Sequence, residues 1–214
     1  MLGQYTRSGE SEFHEFCNRG YCNRAHLRTS YLAINANYLL SNKMSPAVKN
    51  NTAEPNLDIS FQDYLVLSKL VFDWADSYDA KDWDRLRSII APTLKVDYTK
   101  IGLKKWDNMA ADDYMAMITH PGFLGDKTIK TQHLLGQTWW EKISDTEVIG
   151  HHQLRAAHQV YETVDLETVK LRGHSHATNE HYYRKVNGVW KFAGLKPNVR
   201  WNELQFEEVF KGLD

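Results

Sequence analysis

Cysteine is almost absent from this chain of 214 residues: there are two, Cys17 and Cys22, both near the amino terminus. No second pair accompanies their CNRGYC spacing, so a four-ligand structural zinc site is not available, and beyond residue 22 neither a disulfide framework nor a nucleophilic thiol can form. Two free thiols in a reducing compartment, and so a cytoplasmic protein, are expected. An excess of one charge is also missing. The 26 Lys and Arg against 27 Asp and Glu give a net charge of −1, so no overall field recruits nucleic acid or an anionic membrane. No apolar run approaches the ~18 residues of a spanning helix, and Glu10, Glu12 and Glu15 are wrong for a secretory leader. There is no Gly-rich phosphate loop, Walker lysine or GxSxG elbow, which disfavours the nucleotide-dependent and serine-hydrolase classes. What the chain does have is 42% hydrophobic and 12% aromatic residues, enough for a folded core.

Residues 1–57 are rich in Asn, Ser and Arg and hold no sustained period, so they read as an N-terminal extension that ends in a linker over AVKNNTAEPN. The domain is expected over 58–214. Ser60 and Asp63 form a capping box, and Phe61, Tyr64, Leu67, Val71, Trp74 and Tyr78 recur at helical spacing. A second helix follows over DWDRLRSIIA, with Asp82 as its N-cap, and a third over roughly 109–119. Strands are expected at 93–99, 128–140, 146–161, 169–186 and 189–196, with Asn187-Gly188 as a hairpin turn. A closing helix is expected from Asn202, carrying Phe206 and Phe210 on one face. Helices followed by long antiparallel strands define an α+β domain, a curved sheet wrapped on helices that leaves a conical cavity for binding.

Side chains alternate faces along a strand, so the apolar parity identifies the inward face. Tyr98 shares it with Leu94 and Val96, His133 with Ile129 and Leu135, His158 with Val148, Leu154 and Val160, and Asn179 with Val169, Leu171 and Ala177. Tyr78 joins them from the first helix, followed by Asp79. Buried polar groups require partners, so this set is a satisfied structural network or a site. Two imidazoles and two phenols suit proton abstraction beside a carbonyl.

WADSYDAKDWDRLR (74–87), IAPTLKVDY (90–98), GDKTIKTQHLLG (125–136), EVIGHHQLRAAHQVY (147–161), GHSHATNEHYY (173–183) and NGVWKFAGLKPNVRW (187–201) resemble fungal scytalone dehydratase over about residues 58–212. The resemblance implies a cone of the nuclear-transport-factor-like type, a homotrimer, and dehydration of a hydroxylated naphthalenone in melanin biosynthesis without metal or organic cofactor. It implies that Tyr78 and Tyr98 hold a water that donates to the substrate carbonyl. His133 moves the proton, His158 positions and polarises the substrate, Asp79 orients a histidine, and Asn179 bonds a substrate hydroxyl. Met117, Phe123, Phe206 and Phe210 close an apolar pocket over the ring.

The chain departs from that pattern at Ala177, where the family carries serine, and at Ala156 and Ala157, where bulkier residues are usual. A sister dehydratase for a larger aromatic polyketide, such as an anthraquinone or xanthone precursor, is therefore the alternative, and a non-catalytic small-molecule binder of the same fold is another. A metal site built from His174 and His176 with His151, His152 and His181 is a weaker rival, because His174 and His176 share the outward parity of Lys170 and Arg172.

Overall fold

The computed structural model describes residues 58–210; Cys17, Cys22 and the linker reading lie outside them. Among the described residues, three α-helices, α1 (Phe61–Ala80), α2 (Trp83–Ile89) and α3 (Ala111–Ile118), accompany β1 (Ile90–Asp97), β2 (Lys105–Ala110), β3 (Ile129–Lys142), β4 (Glu147–Tyr161), β5 (Val169–Val186) and β6 (Val189–Leu204).

The Ser60 hydroxyl accepts the Asp63 backbone N–H at 3.0 Å and starts α1. The Asp63 carboxylate does not complete the box. It accepts from Trp190 Nε1 at 2.6 Å and pairs with Lys185, which ties the start of α1 to the β5–β6 hairpin. Leu67, Leu70, Trp74 and Tyr78 are buried, each burial being worth about 1.5–3 kcal/mol for an aliphatic or aromatic side chain. Phe61 is 74% exposed, so the buried stripe begins two turns later than its spacing suggests. Asp82 caps α2 by accepting the Arg85 N–H. That helix stops at Ile89 because Pro92 holds Ala91 extended, and β1 therefore starts earlier than expected, at Ile90.

The sheet runs β2-β1-β6-β5-β4-β3. β1 and β6 pair in parallel and every other neighbouring pair is antiparallel. β2 is an edge strand whose KWDNMA sequence shows no alternation, which is why it escaped the periodicity reading. Asn187 and Gly188 take φ of 51° and 79°, the left-handed pair that a type I′ hairpin needs. Register shifts at Leu135/Thr138 and His176/Ala177 bend the long strands, and the sheet curves without closing.

The C-terminal helix expected from Asn202 is not observed. β6 continues to Leu204, and a single 3₁₀ turn, Phe206–Glu208, follows. Asn202 pairs with Ser175 in the β5 ladder, so the backbone bonds that would have started a helix are spent on the sheet.

Candidate active site

A cavity of about 520 Å³ opens between the concave face of the sheet, α1 and the turn after β1. Trp74 and Tyr78 reach it from α1, Tyr98 and Leu103 from the loop after β1, and Phe123 from the turns before β3. His133 enters from β3, Ala156 and His158 from β4, and Ser175, Ala177 and Asn179 from β5. Phe206 and Phe210 close one side, with ring centroids 5.5 and 5.1 Å from His158.

His133 is held from behind. Asp79, one residue past Tyr78, places Oδ1 2.7 Å from His133 Nδ1 and Oδ2 2.8 Å from the His133 backbone N–H, and Thr131 Oγ1 donates to Oδ1 at 2.8 Å. Burial alone would raise the Asp79 carboxyl. The hydrogen bonds from His133 and Thr131 outweigh it and hold the group below its usual value. An ionised carboxylate accepts only, so Nδ1 carries the hydrogen and Nε2 keeps its lone pair.

The second imidazole is fixed by different means to the same tautomer. His158 Nδ1 lies 3.2 Å from the carbonyl oxygen of Gly173, an acceptor that requires the hydrogen at Nδ1. Burial, reinforced by the neighbouring His133, pushes its pKa down to about 3, so the ring is neutral at physiological pH. The two rings stand 6.1 Å apart.

The same cavity holds a group of donors, the nearest of them with its ring 5.4 Å from that of His133. Tyr78 and Tyr98 are buried, and burial pushes both phenols well above their usual pKa. They remain protonated at any physiological pH. Tyr78 is hydrogen-bonded to the hydroxyl of Tyr114, a fully buried residue of α3. The protonated phenols give the cavity its donors, and the tautomers fixed at Nδ1 of His133 and His158 direct Nε2 to serve as acceptors.

Of the residues singled out by sequence, Tyr78, Tyr98, His133, His158, Asn179, Phe123, Phe206 and Phe210 line one cavity, and Asp79 braces His133 from outside it. Met117 does not line it. α3 turns Tyr114 and Ile118 into the core and Met117 packs against that core, while Phe123 and Leu124 of the following turn supply the adjacent cavity wall. Ala156 and Ala177 both face the cavity.

The sequence reading gave no site role to Tyr114, Ser175 or Tyr183, and named His152 and His181 only for the metal rival. The parity that placed His158 and Asn179 inside also covers His152 on β4 and Ser175, His181 and Tyr183 on β5, so the signal was present. His152 and His181 are 1% and 0% exposed, and their rings lie 4.5 Å apart behind Trp74. His152 Nδ1 meets Thr138 Oγ1 at 2.8 Å. The Asn179 carboxamide lies 3.0 Å from His181 Nε2, and His181 Nδ1 is 3.1 Å from the Tyr183 hydroxyl. The metal rival finds no support in this arrangement. His176 stacks on Trp201 and pairs with Glu203 on the other face, and among the described residues no group of three or more His, Cys, Asp and Glu is placed to hold an ion.

A family model described as scytalone dehydratase matches residues 58–213. Scytalone dehydratase arp1 of Aspergillus fumigatus is 77% identical over 158 residues, covering 74% of this chain and 94% of that protein. Scytalone dehydratase of Pyricularia oryzae is 51% identical over 154 residues, covering 72% and 90%. Among solved structures, the hexachlorocyclohexane dehydrochlorinase LinA-type3 of Novosphingobium barchaimii superposes with a TM-score of 0.55 at 15% identity, over 67% of this chain and 90% of that one. The Kfla4162 protein of Kribbella flavida does so with a TM-score of 0.55 at 18% identity, over 66% and 93%. These two likenesses concern the fold.

Proposed function

The chain belongs to the scytalone dehydratase family, and from that membership we propose that it removes water from a hydroxylated naphthalenone such as scytalone or vermelone, yielding an aromatic polyketide of melanin biosynthesis. The observation that carries the mechanism is the Asp79–His133 pair, its free Nε2 in the same cavity as two protonated phenols.

A carbon acid beside a ketone is too weak for imidazole unless the developing enolate is stabilised, which is the task of donors aimed at the oxygen. Tyr78 and Tyr98 supply them, directly or through a water between them. His133 Nε2 takes the proton from the carbon next to the carbonyl, and Asp79 stabilises the imidazolium that forms. The C–O bond to the departing hydroxyl then breaks as the enolate collapses to a new C=C bond. His133 returns its proton to the hydroxyl, and water leaves. The enone so formed tautomerises, a ring carbon losing a proton as the carbonyl oxygen gains one, and the aromatic ring that results supplies the driving force. His158, neutral with Nε2 free, accepts a hydrogen from a substrate hydroxyl, Asn179 bonds a hydroxyl as well, and Phe206, Phe210 and Phe123 cover the flat ring.

Every step uses side chains of this chain alone. An absorbance assay with scytalone, with and without chelator, tests the reading. Formation of trihydroxynaphthalene that is indifferent to chelator and lost in His133→Ala supports it; turnover retained by that variant removes His133 as the base.

The same reading includes assembly as a homotrimer. It is supported by an aromatic, partly exposed outer sheet face. Trp139, 45% exposed, stacks on His151 at 3.9 Å, Trp201, 54% exposed, stacks on His176 at 4.4 Å, and Leu134 is 59% exposed. Sedimentation equilibrium should return three times the chain mass, and a monomer would refute the assembly.

A further inference from the structure

Behind the cavity wall, Asn179, His181 and Tyr183 form a row of inward-facing residues on β5, all buried. Each is hydrogen-bonded to the next: the Asn179 carboxamide to His181 Nε2 at 3.0 Å, and His181 Nδ1 to the Tyr183 hydroxyl at 3.1 Å. The oxygen and nitrogen of a carboxamide are isosteric, and a neutral imidazole carries its hydrogen on one nitrogen or the other, so the count of hydrogens decides how the row is wired.

Two wirings exist. With the amide nitrogen toward His181, Nε2 must accept and Nδ1 must carry the hydrogen, which goes to the Tyr183 oxygen. The Tyr183 hydrogen then has no acceptor in the row, and Asn179 Oδ1 is buried without a protein partner. With the carboxamide turned over, Tyr183 O–H donates to Nδ1 and Nε2–H donates to Asn179 Oδ1, so the Tyr183 hydrogen gains an acceptor and the unpartnered end of the carboxamide becomes its NH₂. The second wiring pairs every group in the row except that NH₂, which a substrate acceptor in the cavity can satisfy. His181 is neutral, as either wiring requires, because burial pushes its pKa well below the usual value and His152 and His133 add to the effect.

We infer that Tyr183 and His181 are positioning residues that hold Asn179 with its NH₂ group, and not its carbonyl, toward the cavity, so that the site reads a hydrogen-bond acceptor there. The inference rests on the cavity being the substrate site and deepens it. A hydroxyl has one hydrogen and two lone pairs. His158 Nε2 accepts such a hydrogen, and a carbonyl from Asn179 would be a second acceptor competing for it. An NH₂ instead donates to the hydroxyl oxygen, so one substrate hydroxyl satisfies both residues, and a donor on that oxygen also favours its departure as water.

The test is the tautomer of His181, read by ¹⁵N–¹H correlation on histidine-labelled protein, the signal being assigned through the Tyr183→Phe variant, which loses only the hydroxyl beside Nδ1. A hydrogen at Nε2 with a pyridine-type Nδ1 is expected; a hydrogen at Nδ1 overturns the inference whether or not the enzyme turns over scytalone. In steady-state kinetics, Tyr183→Phe should raise KM for scytalone by about three- to tenfold with kcat changed less, since the freed imidazole no longer fixes the carboxamide. A KM within error of the parent protein also overturns it. Loss of turnover in the parent protein itself, with the Nε2–H signal present, would count against the dehydratase reading and leave the wiring intact.

Discussion

Replacing Asp79 by Asn is isosteric, yet it should do more harm than removing the side chain. The carboxylate receives the His133 backbone N–H at Oδ2 and both His133 Nδ1 and Thr131 Oγ1 at Oδ1. The backbone N–H cannot become an acceptor, so the carboxamide oxygen must take the Oδ2 position, and its NH₂ then faces Nδ1. Nδ1 is forced to accept, the imidazole hydrogen moves to Nε2, and the base in the cavity becomes a donor. Restoring the productive tautomer would set two buried N–H groups against each other, at about 1–3 kcal/mol for each unsatisfied group. The total of about 2–6 kcal/mol corresponds to a loss in kcat of about 30-fold to more than 10,000-fold, at 1.36 kcal/mol per tenfold. Asp79→Ala leaves Nδ1–H to water and does not invert the ring. It should therefore retain more activity than Asp79→Asn, provided both unfold within a few degrees of each other. Scytalone dehydration followed by absorbance, with thermal unfolding of each variant, is the assay. An Asn variant within tenfold of the parent, or one more active than the Ala variant, would refute the tautomer argument.

Acid should unfold the domain early. Burial, the largest cause, pushes His152 and His158 down to about 3, and His181 is lowered as well, so the unfolded chain binds protons that the folded one does not. The stability held above the ordinary histidine pKa near 6.5 should fall as pH drops from there toward 3, by up to about 1.4 kcal/mol per pH unit for each ring. Urea midpoints from pH 7 to 4.5 measure it, and a flat profile would contradict the burial of these rings. Tyr114→Phe removes the hydroxyl bonded to Tyr78 and should cost about 1 kcal/mol of stability by urea denaturation; no change would mean the bond contributes nothing. Gly173→Ala would bring a Cβ within 2.7 Å of the Phe206 backbone nitrogen and should displace the segment that covers His158. KM for scytalone is expected to rise several-fold with little change in the rate at saturation, and an unchanged KM would show that Phe206 does not cover the substrate.

The α+β architecture and most of the cavity wall were legible because β3, β4 and β5 keep strict period-2 burial over long stretches. That regularity let three polar residues, His133, His158 and Asn179, stand out against apolar neighbours. The same rule covers His152 and His181, but beside the His174–His176 HxH pair they read as members of a rival metal site and not as inward residues. β2 was not legible, since an edge strand with one buried residue, Met109, imposes no alternation. The closing helix was misread for a related reason. Phe206 and Phe210 do have helical spacing, but up to Leu204 the backbone is committed to the β5 ladder, and only tertiary pairing reveals that. Tyr114 lies outside any strand argument, on a short helix whose inward face was not resolved by spacing alone.

What no pattern could supply is the direction of the hydrogen bonds. His133, His158 and His181 have the same side chain on three neighbouring strands. An ionised carboxylate, a backbone carbonyl and a phenol at Nδ1 assign their hydrogens differently: the first two leave Nε2 free to accept in the cavity, and the third makes Nε2 a donor to Asn179. The partner at Nδ1 therefore sets what each imidazole can do at its other nitrogen. Asp79, Gly173 and Tyr183 are respectively 54, 15 and 2 positions from the ring they bond, so only the last lies within the local spacing that a strand pattern can read.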